Sequence, residues 1–426
     1  MKNAFEKLVP RTVAKTIFHL SITAICIMAC NDENHRQEAG AAPVAEDSVQ
    51  KGSFAYDLKF LQEHDPELVH LQSSASGILV SPKYQAKVFT STASGDQGKS
   101  FGWINYKAFS TAIDPHMNAY GGENRIWLGP EGGKYSLFFK PGDSMTFSNW
   151  KTPAAFDTEA WKVTGQSKDS VSFQKDMELT NYAGTRLPIQ LNRSVTLLDQ
   201  AGIEQQLSVK LGDSVQAVGY ATLNTITNKG SFEWTEKTGM PCIWILDMFN
   251  PSNATTIVIP YKAGAAKEKV ATTGYFGDIP ADRIRLDGKT LFFRADGKQR
   301  GKLGILPKHV LPVAGSYDAE HGVLTIISFT PDAGARYLNQ EWRTDKPVFS
   351  GDAMNAYNDG PLQDGSQMGP FYEMESVSPA VALKAGASLQ HHHNVFHFTG
   401  SVSQLNDLAQ KILGVSLGTI QQAFTK

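Results

Sequence analysis

Tyr120-Gly-Gly-Glu-Asn-Arg-Ile-Trp-Leu-Gly-Pro-Glu-Gly-Gly133 sets two glycine pairs, two carboxylates and one arginine around a single apolar strand core. Glycine pairs let the backbone take φ > 0 and approach a ligand closely. Glu123, Arg125 and Glu131 add acceptors and a planar donor fork suited to a polyol. The same residues also suit a buried strand between two tight turns with solvated carboxylates beside it. Either way the segment predicts a strand.

Outward from this segment the chain continues as strands. Gly77–Thr90, Ser136–Phe139, Ser170–Phe173, Leu187–Leu198, Val215–Ile226, Ile243–Met248, Thr255–Pro260, Thr290–Arg294 and Val323–Phe329 are β-branched or aromatic runs bounded by Gly, Pro, Asp or Asn. Long alternation of helix and strand is absent, which argues for an all-β sandwich or barrel rather than a doubly wound sheet. A short helix is predicted at Tyr56–Glu63, where Leu58, Phe60 and Leu61 precede the stop His64-Asp65-Pro66. Near the other end Val402, Leu405, Leu408, Ile412 and Val415 recur at helical spacing, predicting an amphipathic helix packed on the outside of the sandwich.

The first residues read as a targeting segment. Lys2, Lys7, Arg11 and Lys15 surround or precede an apolar run from Ile17 to Ala29 that is short for a membrane-spanning helix. Ile27-Met28-Ala29-Cys30 resembles a bacterial lipobox, which makes Cys30 the lipid-attachment site. Residues 31–52 lack large apolar side chains apart from two valines and read as a flexible tether. The expected organisation is a signal peptide at 1–29, a tether at 30–52, one sandwich domain at 53–400 and a terminal helix at 401–426. The expected location is the cell envelope, lipid-anchored to the outer membrane, periplasmic or surface-exposed. The whole chain has a formal net charge of −2, and removal of four basic residues and Glu6 with the signal leaves about −5. No basic excess remains to hold nucleic acid. Beyond Cys26 and Cys30 the single cysteine is Cys242, so no intramolecular disulfide is available and the apolar core must carry stability.

Three constellations could carry chemistry. Ala93-Ser-Gly-Asp-Gln-Gly-Lys-Ser100 fits a loose phosphate-loop pattern, but an aromatic, strand-like stretch follows it in place of a helix. In Gln390-His-His-His-Asn-Val-Phe-His-Phe398 a strand puts His391, His393 and His397 on one face and His392, Asn394, Phe396 and Phe398 on the other. A strand spreads positions i and i+6 over about 20 Å, so His397 is too far from His391 to share one ion with it. His391 and His393 would need carboxylate help, and no metal or other cofactor is assigned. In Phe371-Tyr-Glu-Met-Glu-Ser-Val-Ser-Pro379 the strand puts Glu373 and Glu375 on one face, where repulsion requires a neutral form, donors or water. A carboxylate raised in a cleft serves as a general base.

Taken together these segments resemble the galactose mutarotase-like superfamily along most of residues 75–400. The opening strand with its Pro82 turn is similar to that family's first core strand. Asn124-Arg125-Ile126 is similar to its Asn-Arg-Ile segment, Ala221–Gly230 to its mid-chain strand ending in Thr-Asn, and Met374-Glu375-Ser376 with Leu383–Gly386 and Val395–Phe398 to its C-terminal run. The resemblance implies a β-supersandwich with a carbohydrate-binding concave face, Arg125 contacting sugar and Glu375 as base. It departs from the family after Thr227-Asn228, where Asp247 or Trp244 occupies the region of an expected histidine. The acid of an epimerase would then come from His391 or His393, or from Lys308.

The expected function is that of a membrane-anchored lipoprotein that binds carbohydrate or acts on it with epimerase-like acid/base chemistry. Its alternatives are a glycan-binding lipoprotein without turnover and a metal-dependent hydrolase or lyase using the histidine cluster. The candidate catalytic residues are Glu375, His391 and His393. The candidate substrate contacts are Glu123, Arg125, Trp127, Glu131, Asp247 and Lys308, with Trp244 and Trp342 as further stacking surfaces.

Overall fold

A computed structural model describes residues 50–264 and 268–425. The expected signal segment, Cys30 and all but the last residues of the expected tether lie outside the described residues. Helix α1 (Phe54–His64) precedes β1 (Val69–Ser73), β2 (Ser76–Ser81), β3 (Lys87–Thr92), β4 (Arg125–Gly129), β5 (Lys162–Gln166), β6 (Ser170–Thr180) and β7 (Arg186–Leu198). After α2 (Gln200–Leu207) come β8 (Gln216–Asn228), β9 (Cys242–Phe249), β10 (Thr255–Pro260), β11 (Ala271–Thr272), β12 (Ile284–Asp287), β13 (Thr290–Arg294) and β14 (Gly301–Ile305). Then follow β15 (Val313–Asp318), β16 (Val323–Phe329), β17 (Met354–Asn358), β18 (Tyr372–Val377), β19 (Ser388–Thr399), α3 (Val402–Leu413) and α4 (Leu417–Gln421).

Among the described residues these strands form three antiparallel sheets. A ten-stranded sheet runs β12-β13-β10-β15-β16-β19-β8-β7-β6-β5, a six-stranded sheet runs β11-β14-β17-β18-β9-β4, and β1-β2-β3 form a small third sheet. The expected all-β supersandwich is the fold observed. Strand β7 shows why the large sheet forms: burial alternates strictly along it, with Leu187, Ile189, Leu191, Val195 and Leu197 inside. That period of two gives one face to the core and one to water. Strands β4, β9 and β18 are buried along their whole length, because the inner face of their sheet meets the ten-stranded sheet and the outer face is roofed by loops.

The expected opening strand Gly77–Thr90 is a hairpin, with β2 and β3 joined through the turn that begins at Pro82. The helix expected at Tyr56–Glu63 spans Phe54–His64, capped by the Ser53 hydroxyl. Ser136–Phe139 is not a strand. Its aromatic side chains are buried beside one end of the six-stranded sheet, with Phe138 stacked on Trp150 at 5.9 Å, and its backbone bonds to turns instead. Aromatic content alone could not separate a strand from a buried loop.

The C-terminal segment covers the outer face of the ten-stranded sheet. Leu405, Leu408, Ala409 and Leu413 of α3 pack with Leu417 and Ile420 of α4 onto Phe396 and Phe398. Val402, expected on the apolar stripe, is exposed at the first helical position. Gly414 ends α3 with φ +75, a left-handed cap that an L side chain rarely adopts.

Candidate functional site

The register of the six-stranded sheet builds the floor of a cleft. Arg125 lies opposite Leu246, Leu246 opposite Glu375, and Glu375 opposite Asn355. In the adjacent row Met248, Glu373, Tyr357 and Lys302 are successive neighbours. Opposed residues in a sheet point the same way, so both rows share one face. Above them lies a cleft of about 340 Å³. Its walls are aromatic: Trp127 meets Trp244 edge-on at 5.7 Å, and Trp150 stacks on Trp342 at 5.7 Å.

Two charge-assisted contacts organise the floor. Arg125 reaches across β9 and donates to Glu373 Oε1 at 2.5 Å, with both side chains nearly buried. Glu375, fully buried, accepts on Oε2 from Lys302 Nζ at 3.0 Å and from Trp244 Nε1 at 2.7 Å. Lys302 also sits 4.7 Å above the Trp244 ring. Two atoms of this arrangement have no hydrogen-bond partner: Arg125 Nε, a donor, and Glu375 Oε1, an acceptor. Buried polar atoms are rarely left so, and each one costs free energy until something pairs with it.

The floor is unevenly charged. Burial pushes the Glu373 carboxyl up to about 8, against the pull of Arg125 and with help from the charge on Glu375. Burial also raises Glu131, which Lys302 and a bond to the Trp342 side chain partly offset. At neutral pH a proton therefore resides largely on Glu373. One histidine, His116, lines the cleft among the described residues, held at the rim by its Nδ1 to Trp150 O at 2.6 Å and stacked on Phe147.

Of the residues singled out in the sequence, Arg125, Trp127, Glu131, Trp244 and Trp342 line this cleft, and Glu375 lies just beneath its surface. His391 and His393 do not reach it. They face the interior between the two large sheets, on the opposite side of β18, because positions 376 and 375 of that strand point opposite ways. There Ser376 Oγ lies 2.7 Å from both His391 Nε2 and His393 Nδ1, and His393 Nε2 lies 2.6 Å from Asp247 Oδ2, so with the Asp247 carboxylate as acceptor His393 donates from Nε2. Asn124 Nδ2 adds a bond to Asp247 Oδ1 at 2.6 Å, and Arg193 donates to Asn124 and to Asn224. Burial, with His393 and His392 adding to it, draws His391 down to about 3, so it is neutral.

Asp247 thus belongs to the sandwich interior and not to the cleft. Glu123 is also interior, accepting from Ser91 Oγ at 2.7 Å and from His397 Nε2 at 3.0 Å. Lys308 is exposed on a one-turn helix, Pro307–His309, where it pairs with Glu268 away from the cleft. The face-sharing of His391, His393 and His397 holds in the structure, yet among the described residues no group of three metal-ligating side chains comes together. Glu373 was visible beside Glu375 as half of a carboxylate pair, but Lys302 and Arg300 had no motif to mark them. The one available signal for Lys302 was a lysine in mid-strand between two glycines, Gly301 and Gly304.

A model described as a family of unknown function (DUF6786) matches residues 52–424. No curated protein matches the chain. Similar solved structures are galactose mutarotase-like and aldose 1-epimerase-like proteins, as the sequence resemblance implied. One from Klebsiella pneumoniae, described as a putative aldose 1-epimerase, is 12% identical with a TM-score of 0.47, covering 83% of this chain and 83% of that one. Another described in those words, from Escherichia coli, is 12% identical with a TM-score of 0.46, covering 78% and 98%. A galactose mutarotase-like protein from Lactobacillus casei is 13% identical with a TM-score of 0.45, covering 78% and 99%.

Proposed function

The chain belongs to that family of unknown function, DUF6786, and from this premise we propose that it binds a carbohydrate in the concave cleft and interconverts its anomers by acid/base chemistry. The observation that carries the reading is the unpartnered pair on the floor. A sugar hydroxyl both accepts and donates, which suits Arg125 Nε and Glu375 Oε1, and flat tryptophan walls suit sugar faces. Glu375, just beneath the floor, takes the proton of the anomeric hydroxyl on its unpartnered oxygen while Lys302 and Trp244 hold the other. Glu373, protonated at neutral pH, supplies the proton that the ring oxygen needs to open, and Arg125 fixes its orientation. Reclosure on the other face of the carbonyl returns both protons. Remote floor contacts and the roofing loops hold the open chain in reach.

The test is NMR exchange between the anomers of glucose and galactose. The expected result is exchange faster than buffer alone, with Glu375→Gln slowing it roughly 10²–10⁴-fold. Sugar binding without accelerated exchange would replace this reading with a non-catalytic glycan binder. That second reading draws on one observation: among the described residues the one histidine lining the cleft, His116, is held at the rim by Trp150. Absence of any sugar binding would remove both readings.

Attachment to the outer membrane through a lipid on Cys30 is part of the proposal. It rests on the lipobox resemblance of residues 27–30. Labelled palmitate should enter the wild-type protein and not Cys30→Ser, and equal labelling would end it.

A further inference from the structure

Three cations line the cleft among the described residues: Arg125, Lys302 and Arg300. The first two are committed to Glu373 and Glu375. Arg300 is exposed and makes no salt bridge among the described residues, although its charge is felt at Glu131, yet it is not a loosely waving surface arginine. Its Nε donates to Tyr357 Oη at 3.2 Å, and that hydroxyl is fixed in turn by donating to Asp359 Oδ1 at 3.0 Å. Its guanidinium carbon lies 3.8 Å from the centroid of the Phe276 ring. One contact holds the Nε edge and the other covers a face, which leaves the two terminal nitrogens as a planar fork at the mouth of the cleft.

We propose that Arg300 reads an acidic substituent on the sugar, so that the ligand of this cleft is an anionic saccharide: a uronic acid, or a sulfate or phosphate ester. The inference rests on the carbohydrate reading above and narrows it. A guanidinium fork matches carboxylate, sulfate and phosphate oxygens in pairs, whereas a neutral hydroxyl engages one nitrogen at a time. Placement matters as well. The charge on Glu375 repels an anion, so the acidic group sits away from it, over Tyr357 and Phe276, with the neutral ring hydroxyls toward Glu375. Asp114 also lines the cleft and opposes an anion beside it, while Glu131, which lines it too, feels the charge of Arg300.

The experiment is titration calorimetry of the full chain, at low and at high salt, with matched sugars: galactose, galacturonate, galactose 6-sulfate and galactose 6-phosphate. At low salt at least one acidic sugar is expected to bind on the order of 10-fold more tightly than galactose. Salt should erode that advantage. Arg300→Met, which keeps the stem over Phe276, should abolish it while leaving galactose affinity within about twofold. Arg300→Lys, a charge without the fork, should restore only part. Which of the three acidic sugars gains most identifies the substituent. Equal binding of neutral and acidic sugars, or a preference that survives Arg300→Met, overturns this inference alone. Binding of none of the four overturns it together with the carbohydrate reading.

Discussion

Replacing Glu373 by glutamine tests the protonation that the proposed chemistry needs. In the folded protein this carboxyl is raised from 4.5 to about 8, chiefly by burial. The folded state therefore binds the proton more tightly than the unfolded chain does. The stability this contributes is fully present below about pH 4.5 and is lost as the pH rises through about 8. With those two values, moving from pH 5 to pH 8.5 should cost wild-type protein about 4 kcal/mol at this one group. Glutamine resembles the protonated acid in shape and charge, so Glu373→Gln should match wild type near pH 5 and exceed it by up to about 4 kcal/mol at pH 8.5. Urea unfolding of both proteins across that range, at fixed ionic strength, measures the difference directly. Parallel stability curves, with an offset that does not change with pH, would show that Glu373 is ionised throughout. The acid assignment would then fail, whatever the outcome of sugar binding.

Three further substitutions probe the same architecture. Gly122 has φ +125, and a Cβ there would stand 2.3 Å from Lys87 Cδ, so Gly122→Ala should cost about 2 kcal/mol or more, and an unchanged thermal midpoint would contradict this account of the glycine. Trp244→Phe keeps an aromatic wall but removes the donor to Glu375 Oε2; guanidinium unfolding should show a loss of about 1.5–3 kcal/mol, and a neutral result would mean that Lys302 alone satisfies that oxygen. Asp247→Ala strips His393 and Asn124 of their shared acceptor inside the sandwich and should cost about 3–5 kcal/mol. A variant as stable as wild type would show that the interior polar chain does not help hold the sheets together.

Much of the fold was legible because long strands carry their own period. Leu187–Leu198 and Val215–Ile226 alternate over enough residues that no helix fits them, and both are strands of the large sheet. Ser136–Phe139 misled because four residues carry no period, and buried aromatic loops share the composition of strands. The cleft was legible where one strand declared it. Arg125 and Trp127 are two residues apart in β4, and both line it. The histidines show the limit of such reading. Their shared face was correct, but which of two faces a β-sandwich turns inward depends on the partner sheet, and a strand's own residues do not record it. Asp247 failed for the same reason, being an odd position between the cleft-facing Leu246 and Met248. Lys302 was hidden because its partner, Glu375, lies 73 residues away and meets it only through two intervening registers.

Strand β9 serves two chemistries at once, with Trp244, Leu246 and Met248 turned to the cleft and Asp247 turned to the polar chain on the inner side. Substitution and slippage therefore have different meanings here. A change at 244, 246 or 248 alters the lining of the cleft while the inner contacts of Asp247 stay as they are. A slip of one residue exchanges every side chain between the two sides at once. It would bury indole and leucine among histidines and expose a carboxylate to the tryptophan walls. The inner chain thus acts as a reading frame for the strand, fixing which of its side chains face the cleft.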